Sequence, residues 1–258
     1  MTARSTTRVM MVVCAWLATA LCANAVTAAD AYDAAVANPA RSAADVKRDA
    51  LDHPAELLRL AGIKPGMHVA DFLAGDGYYS ELLSYVVGPK GHVLMMNNKS
   101  FDGYSEGAAQ KRVAGNRLPN VDYKILDLKQ MNLGTGTLDA VLVIKVYHDL
   151  YWVDPSGEWP KVDVPGTLDQ IARALKPGGV LLLVDHSAQE GHGSGDASAL
   201  HRIEEAFAQK DFESRGLEVV AHSDALRRPD DKRDLISYKP PAVGKTDRFV
   251  LVFKKRAK

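Results

Sequence analysis

Five short apolar runs, each closing on polar residues and each followed by a turn or a helical stretch, constrain this chain more than any other feature. They are MHVAD at 67–71, HVLMM at 92–96 before Asn97, VDYKIL at 121–126 before Asp127, LDAVLVIKV at 138–146 before Tyr147-His148-Asp149, and VLLLV at 180–184 before Asp185-His186. The last run shows no polar alternation, the pattern of a strand covered on both faces. Residues 80–87 read as a helix. Leu168, Ile171, Ala172 and Leu175 recur at i, i+3, i+4 and i+7, so residues 167–175 form an amphipathic helix that Lys176-Pro-Gly-Gly179 stops. Leu200, Ile203 and Phe207 mark a further helix closed by Gly216, and residues 217–221 and 249–253 read as two last strands close enough to pair. Strands and helices alternating at these spacings predict a doubly wound α/β sheet with helices on both faces.

Upstream, Pro54 opens a helix with Leu57, Leu58 and Ala61 on one face and Gly62 at its end. Residues 30–49 are Ala-rich with scattered charge and read as a leader segment followed by a helix. Before them, Arg4 and Arg8 precede an apolar run at 9–23 interrupted only by Thr19, and small residues follow to Ala28 and Ala29. This order is that of a cleavable secretory signal, with cleavage after Ala28 and a periplasmic or secreted destination. The run is about 15 residues long, short of the roughly 20 that span a bilayer, so no membrane association is expected once it is removed. Bulky Leu21 argues against a lipid anchor on Cys22. The chain thus divides into a signal at 1–28, an extension at 29–52 and one domain at 53–258.

Cys14 and Cys22 both lie in that leader, so the exported part holds no disulfide, no cysteine-ligated metal and no thiol nucleophile. Of 258 residues, 32 are basic and 32 acidic, and losing Arg4 and Arg8 leaves a net charge of −2. That balance argues against a nucleic-acid partner, which calls for a strongly basic face. Gly244-Lys-Thr246 lacks the earlier glycine of a phosphate loop, and no Gly-x-Ser-x-Gly elbow is present.

In a doubly wound sheet, ligands sit at the carboxyl ends of the strands near the topological switch point. Here that end gathers the glycine loop Asp71-Phe-Leu-Ala74-Gly75-Asp-Gly77, then Asn97, Asp127, His148 and His186. Asn97 stands twenty residues beyond Gly77, where such folds place a polar residue on ribose hydroxyls. The loop, YHDL at 147–150, LKPGGVLLLVDH at 175–186, HR at 201–202 and the closing GKTDRFVLVFKK together resemble the class I S-adenosylmethionine-dependent methyltransferases, and within them an exported group with a GYY- or GWY-type glycine loop. The resemblance covers most of the domain. It implies a Rossmann-like seven-stranded, mostly parallel sheet whose last strand is antiparallel, with S-adenosylmethionine lying across the first three strand ends. Asp71 and Ala74 would then lie at the donor site, with Gly75 and Gly77 against the donor's amino-acid part, Asn97 at the ribose and Asp127 at the adenine amine. Leu73 replaces the family's first loop glycine, and Asn97 replaces the acid usual at the second strand's end.

Methyl transfer to a hydroxyl or amine of a small molecule needs a base, and a histidine near its ordinary pKa suits that role. His148 and His186 are the catalytic candidates, each also readable as a strand-end cap; Tyr147, Asp149 and Arg202 are candidate substrate contacts. His201 and Arg202 also fit an ion-paired surface. Of Tyr78 and Tyr79, one is expected in the core and one in the cleft, and Trp152 and Trp159 line an acceptor pocket or pack a loop. Leu73 and Asn97 leave a second reading open, a module that keeps the fold but is non-catalytic or binds metal. His148 and His186 with Asp149 or Asp185 make a nitrogen and oxygen donor set, joined or not by His192, although no His-x-x-His or HExxH spacing assigns metal ligands.

Overall fold

A computed structural model describes residues 28–257, residue 158 excepted. The proposed signal lies outside the described residues apart from Ala28, where the first helix begins. Among the described residues, no helix is long and apolar enough to cross a membrane.

Strands β1 (His68–Phe72), β2 (His92–Asn97), β3 (Val121–Ile125), β4 (Leu138–Ile144), β5 (Leu175–His186), β6 (Leu217–Ser223) and β7 (Arg248–Lys255) form one seven-stranded sheet in the order β3-β2-β1-β4-β5-β7-β6. The pairs from β3 to β5 are parallel. β7 runs antiparallel between β5 and β6, so the last strand is the reversed one, as expected. The chain moves outward through β1, β2 and β3 and then returns beside β1 as β4, which puts the switch point between the ends of β1 and β4.

The helices are α1 (Ala28–Val36), α2 (Ala43–Asp52), α3 (Pro54–Leu60), α4 (Tyr78–Val87), α5 (Lys99–Tyr104), α6 (Ala108–Val113), α7 (Val164–Ala174), α8 (Ala197–Leu200) and α9 (Glu205–Glu213). Successive side chains of a strand point to opposite faces. In β4, Val141 and Val143 therefore pack with Ile171 of α7 and Phe212 of α9, whereas Ala140 and Leu142 pack with Leu58 of α3 and Leu82 of α4. Each fully buried leucine or valine stabilises by about 1.5–3 kcal/mol, and these two layers hold the sheet.

Three segments differ from the sequence expectation. β5 is twelve residues long and takes in Lys-Pro-Gly-Gly, because Leu175 already pairs with Leu138 and Lys176 Nζ reaches Asp139 at 2.6 Å. Gly179 permits the close approach: a Cβ there would lie 3.1 Å from the Asp139 carbonyl oxygen. The single helix expected through Leu200, Ile203 and Phe207 is broken. His201 adopts a left-handed backbone (φ 51°, ψ 54°), and Ile203 donates its N–H to the His186 carbonyl at 2.9 Å, so this segment crosses the end of β5. Residues 28–52, finally, form two helices that pack on the domain. Tyr32 is buried and donates to the Ile63 carbonyl at 2.7 Å.

α2 is held by charge rather than by apolar surface. Ser42 caps it, and Asp45, Asp49 and Asp52 fall on one side at i, i+4 and i+7. Asp45 pairs with Arg112 (2.8 Å) and Asp49 with Arg41 (2.7 Å). Asp52 is buried and meets Arg248 of β7 (2.5 Å), Arg48 (2.7 Å) and Lys145 beyond β4 (3.2 Å). Burial alone would raise the Asp52 pKa, but the charges of Lys145, Arg48 and Arg248 outweigh it and hold the carboxyl far below the ordinary range. A depressed folded-state pKa contributes stability that is present above about pH 4 and lost as pH falls through the folded value. Asp52→Ala strands three cations around one buried point and is expected to cost about 3–5 kcal/mol in urea unfolding at pH 7. A cost below about 1 kcal/mol, the range of an exposed pair, would contradict this role.

Candidate methyl-donor cleft and histidine cluster

The chain leaves β1 through a loop whose backbone geometry explains both departures from the family pattern. Leu73 takes the left-handed conformation a glycine would have used there (φ 52°), and its side chain is buried in the core layer containing Phe72 and Met96. It therefore does not crowd the cleft. Asn97, fully buried, accepts from the Gly75 N–H at 2.9 Å and donates through Nδ2 to the Gly75 carbonyl at 2.8 Å. Only an amide can do both, since a carboxylate has no N–H to give. In this arrangement Asn97 meets the glycine loop, where the sequence reading expected a ribose contact. Gly75 (φ +60°) faces open space, with no atom within 4 Å of where a Cβ would be. Asp71, at the end of β1, accepts from the Ser80 hydroxyl at 2.6 Å, and burial raises its pKa to about 6.

Beyond the loop, a cleft of ≈ 330 Å³ opens between the ends of β2 and β3, lined by Asn98, Lys99, Leu126, Asp127, Leu128 and Lys129 among others. Asp127 is exposed there and accepts from the Lys129 N–H at 2.9 Å. Asn98 was not singled out from sequence. Its Oδ1 caps α5 by accepting from Phe101 N–H at 2.8 Å, while its Nδ2 is buried with no partner. An orphaned buried donor is costly, by about 1–3 kcal/mol, and points to a ligand acceptor. The open face of Gly75, the free Asn98 amide and the Asp127 carboxylate fit a donor carrying an amino-acid end, a ribose and a base. Tyr78 and Tyr79 are both buried in the core layer of α3 and α4, and neither lines the cleft; the Tyr78 hydroxyl donates to Asp49 at 2.5 Å.

The other half of the carboxyl edge is crowded with titratable groups. Lys145, with a left-handed backbone (φ 58°), follows β4, and burial with the nearby charge of Arg48 lowers its pKa to about 8 despite Asp52. It too was passed over in sequence, inside an apolar run. Asp185 is fully buried, accepts from the His148 N–H at 2.9 Å and lies 2.7 Å from His148 Nδ1. Burial disfavours the His148 imidazolium, but Asp149 and Asp185 outweigh it and raise its pKa well above the ordinary value. For His186, burial and the neighbouring charges of His148, Lys145 and Arg248 lower the pKa well below it. Neither histidine sits near its ordinary pKa, contrary to the sequence expectation. His186 Nδ1 lies 2.8 Å from the Thr246 hydroxyl.

Two candidate substrate contacts are turned inward. Tyr147 is fully buried and donates to Asp211 at 2.6 Å. Arg202 is fully buried rather than at the surface, and donates to Leu235 and Ser187 carbonyls and twice to Asp231. Asp149 stays in the cluster, 3.3 Å from His148 Nε2 and from His201 Nδ1. His192 lies apart, paired with Asp196 at 2.9 Å. Trp152 packs at a tilt against His201 (ring centroids 5.3 Å), and Trp159 is buried beside Phe101.

Residues 71–183 match the model of the methyltransferase domain family. A solved SAM-dependent methyltransferase from Aquifex aeolicus superimposes with a TM-score of 0.58 at 22% identity, covering 81% of this chain and 92% of that one. The fold is a methyltransferase fold. The [4+2]-cyclase SpnF shares it equally, with a TM-score of 0.58 at 15% identity over 84% of this chain and 83% of that one. In sequence, the chain is 26% identical over 129 residues to the ubiquinone/menaquinone biosynthesis C-methyltransferase UbiE of Shewanella piezotolerans, 49% of this chain. The match spans 45% of that relative's length. With Leu73 turned into the core and Asn97 clamping the glycine loop, neither departure from the family pattern speaks for a non-catalytic module.

The Asn97 clamp is testable against the ribose role. Asn97→Asp leaves the Gly75 carbonyl without its donor and buries a carboxylate, so urea unfolding should show a loss of about 1–3 kcal/mol. Unchanged stability together with tighter binding of S-adenosylhomocysteine would show instead that position 97 meets the ligand.

Proposed function

We propose that this chain is an S-adenosylmethionine-dependent methyltransferase that acts on a small-molecule acceptor after export. The observation that carries the reading is the alignment along three strand ends of the open Gly75 backbone, the unpartnered Asn98 amide and the exposed Asp127 carboxylate. When bound, the donor supplies a methyl group on a sulfonium, whose carbon–sulfur bond breaks as the bond to the acceptor forms. The chain's own work is alignment and exclusion of water, which supply several kcal/mol of the barrier reduction. α2, tied down by Asp45 and Asp52, covers the edge. His186, anchored on Thr246, and His148, held by Asp185, present fixed rings at the strand ends where an acceptor would be oriented.

Isothermal titration with S-adenosylmethionine and S-adenosylhomocysteine tests the donor site directly: one molecule of each is expected to bind, and no binding at millimolar ligand would refute the reading. Gly75→Ala, which places a methyl group on the open face, should weaken that binding at least tenfold; unchanged affinity would place the donor elsewhere. Export rests on the leader at 1–28. Amino-terminal sequencing of protein recovered from the periplasm or medium should begin at Ala29, and a chain found only in the cytosol with its leader intact would contradict it.

A further inference from the structure

The histidine cluster contains a geometry that the donor reading does not use. His148 Nε2, Asp149 Oδ1 and His201 Nδ1 form a triangle with all three sides at 3.3 Å. A tetrahedral centre at about 2.0 Å from each corner has edges of that length, and about 2.0–2.2 Å is the zinc–nitrogen and zinc–oxygen distance. Octahedral magnesium at its usual distance needs edges nearer 2.9 Å and favours oxygen donors. We propose that His148, Asp149 and His201 bind a divalent transition metal ion, with zinc the best fit in geometry and donor set.

The surroundings support ligation. Asp185 holds His148 Nδ1 at 2.7 Å, and a neutral ring that keeps its proton there leaves the Nε2 lone pair for a metal; a carboxylate behind a ligating histidine fixes its tautomer and strengthens the ligand. Asp185 is itself held by the backbone N–H groups of His148 (2.9 Å) and His186 (2.7 Å). His201 reaches the cluster only through its left-handed backbone, stabilised on the far side by the Ile203–Ser187 bridge. A non-glycine residue held there carries strain of about 1–3 kcal/mol, of the kind that collects at functional sites. His186, weighed from sequence as a ligand, is not one of the three converging groups, and its Nδ1 is engaged by Thr246 at 2.8 Å. Three protein ligands leave a fourth position, the form of a catalytic rather than a structural zinc. Trp152 and Tyr238, with ring centroids 5.3 and 4.8 Å from His201, flank the site with aromatic surface. The fourth ligand is therefore water or an oxygen, nitrogen or sulfur donor of a small acceptor carrying apolar surface.

Metal uptake needs no methyl donor, so the test separates this proposal from the donor reading. Untagged protein is stripped with chelator, dialysed and titrated with zinc and, separately, cobalt(II). One equivalent of zinc is expected to bind, and one equivalent of cobalt to give the intense visible bands of a tetrahedral site with nitrogen and oxygen ligands. His201→Ala and Asp149→Asn should weaken binding by at least 100-fold, and Asp185→Asn, behind the ligand, by about 10–100-fold. His192→Ala, outside the cluster, should leave it unchanged. Circular dichroism checks that each variant is folded, and the stoichiometry and cobalt spectrum of the unaltered protein decide the matter should a variant fail to fold. Substoichiometric binding, a cobalt spectrum of octahedral type, or affinity unaffected by His201→Ala would overturn the proposal.

Discussion

The buried Asp52 carboxylate joins three separate parts of the chain: α2 through its own backbone, the turn after β4 through Lys145, and β7 through Arg248. A parallel sheet ends in loops, and nothing in its hydrogen bonding closes the edge where those loops gather. Here closure is electrostatic. Asp45, Asp49 and Asp52 tie α2 to arginines that α6, β7 and the segment before α2 supply, so the functional edge is roofed by charge pairs. A buried ion pair adds little net stability compared with apolar packing, but breaking one partner is expensive. The arrangement thus fixes geometry more than it stabilises the fold. Burial, and after it the charge of Arg48 on Lys145 and of His148, Lys145 and Arg248 on His186, lower the pKa of both, while Asp52 opposes the shift at Lys145.

The two halves of the edge divide the chemistry. On the β1–β2–β3 side, backbone and amide groups dominate: Gly75 is locked by Asn97, and Asn98 and Asp127 face the cleft. On the β4–β5 side, the groups are ionisable and tightly partnered. Asp185 organises them, because one carboxylate accepts from the His148 backbone and fixes the His148 ring, which in turn faces Asp149 and His201. The likeness to a cyclase shows that this fold alone does not decide the reaction, so the proposed methyl transfer rests on the first half and the choice of acceptor on the second.

Much of this was legible in sequence for a physical reason: the strands are local apolar runs, and the polar residues that end them are adjacent to those runs. The sheet and the places of Asp71, Gly75, Asp127, His148 and Asp185 follow from such short-range signals. What escaped is long-range. His201 lies 53 residues from His148 and reads as part of a helix until its left-handed backbone breaks that helix. Asn97 has the right type and place for a ribose contact, and only the folded loop, 22 residues back, shows where its amide goes. The acids of α2 look like a solvated face because their cations lie as far away as β7. Lys145 hides inside an apolar run, and Arg202 resembles a surface residue until Asp231, in a distant loop, encloses it.

The proposed reaction requires a methyl donor in the cleft along β1, β2 and β3 with the histidine cluster on its acceptor side. A crystal structure of the protein with S-adenosylhomocysteine tests this most directly. The account predicts ligand density running from the open face of Gly75 to Asp127, the Asn98 amide hydrogen-bonded to it, and the Asn97–Gly75 clamp intact. Density at another part of the molecule, or an intact clamp with the Asn98 amide still unpartnered beside a bound ligand, would contradict it.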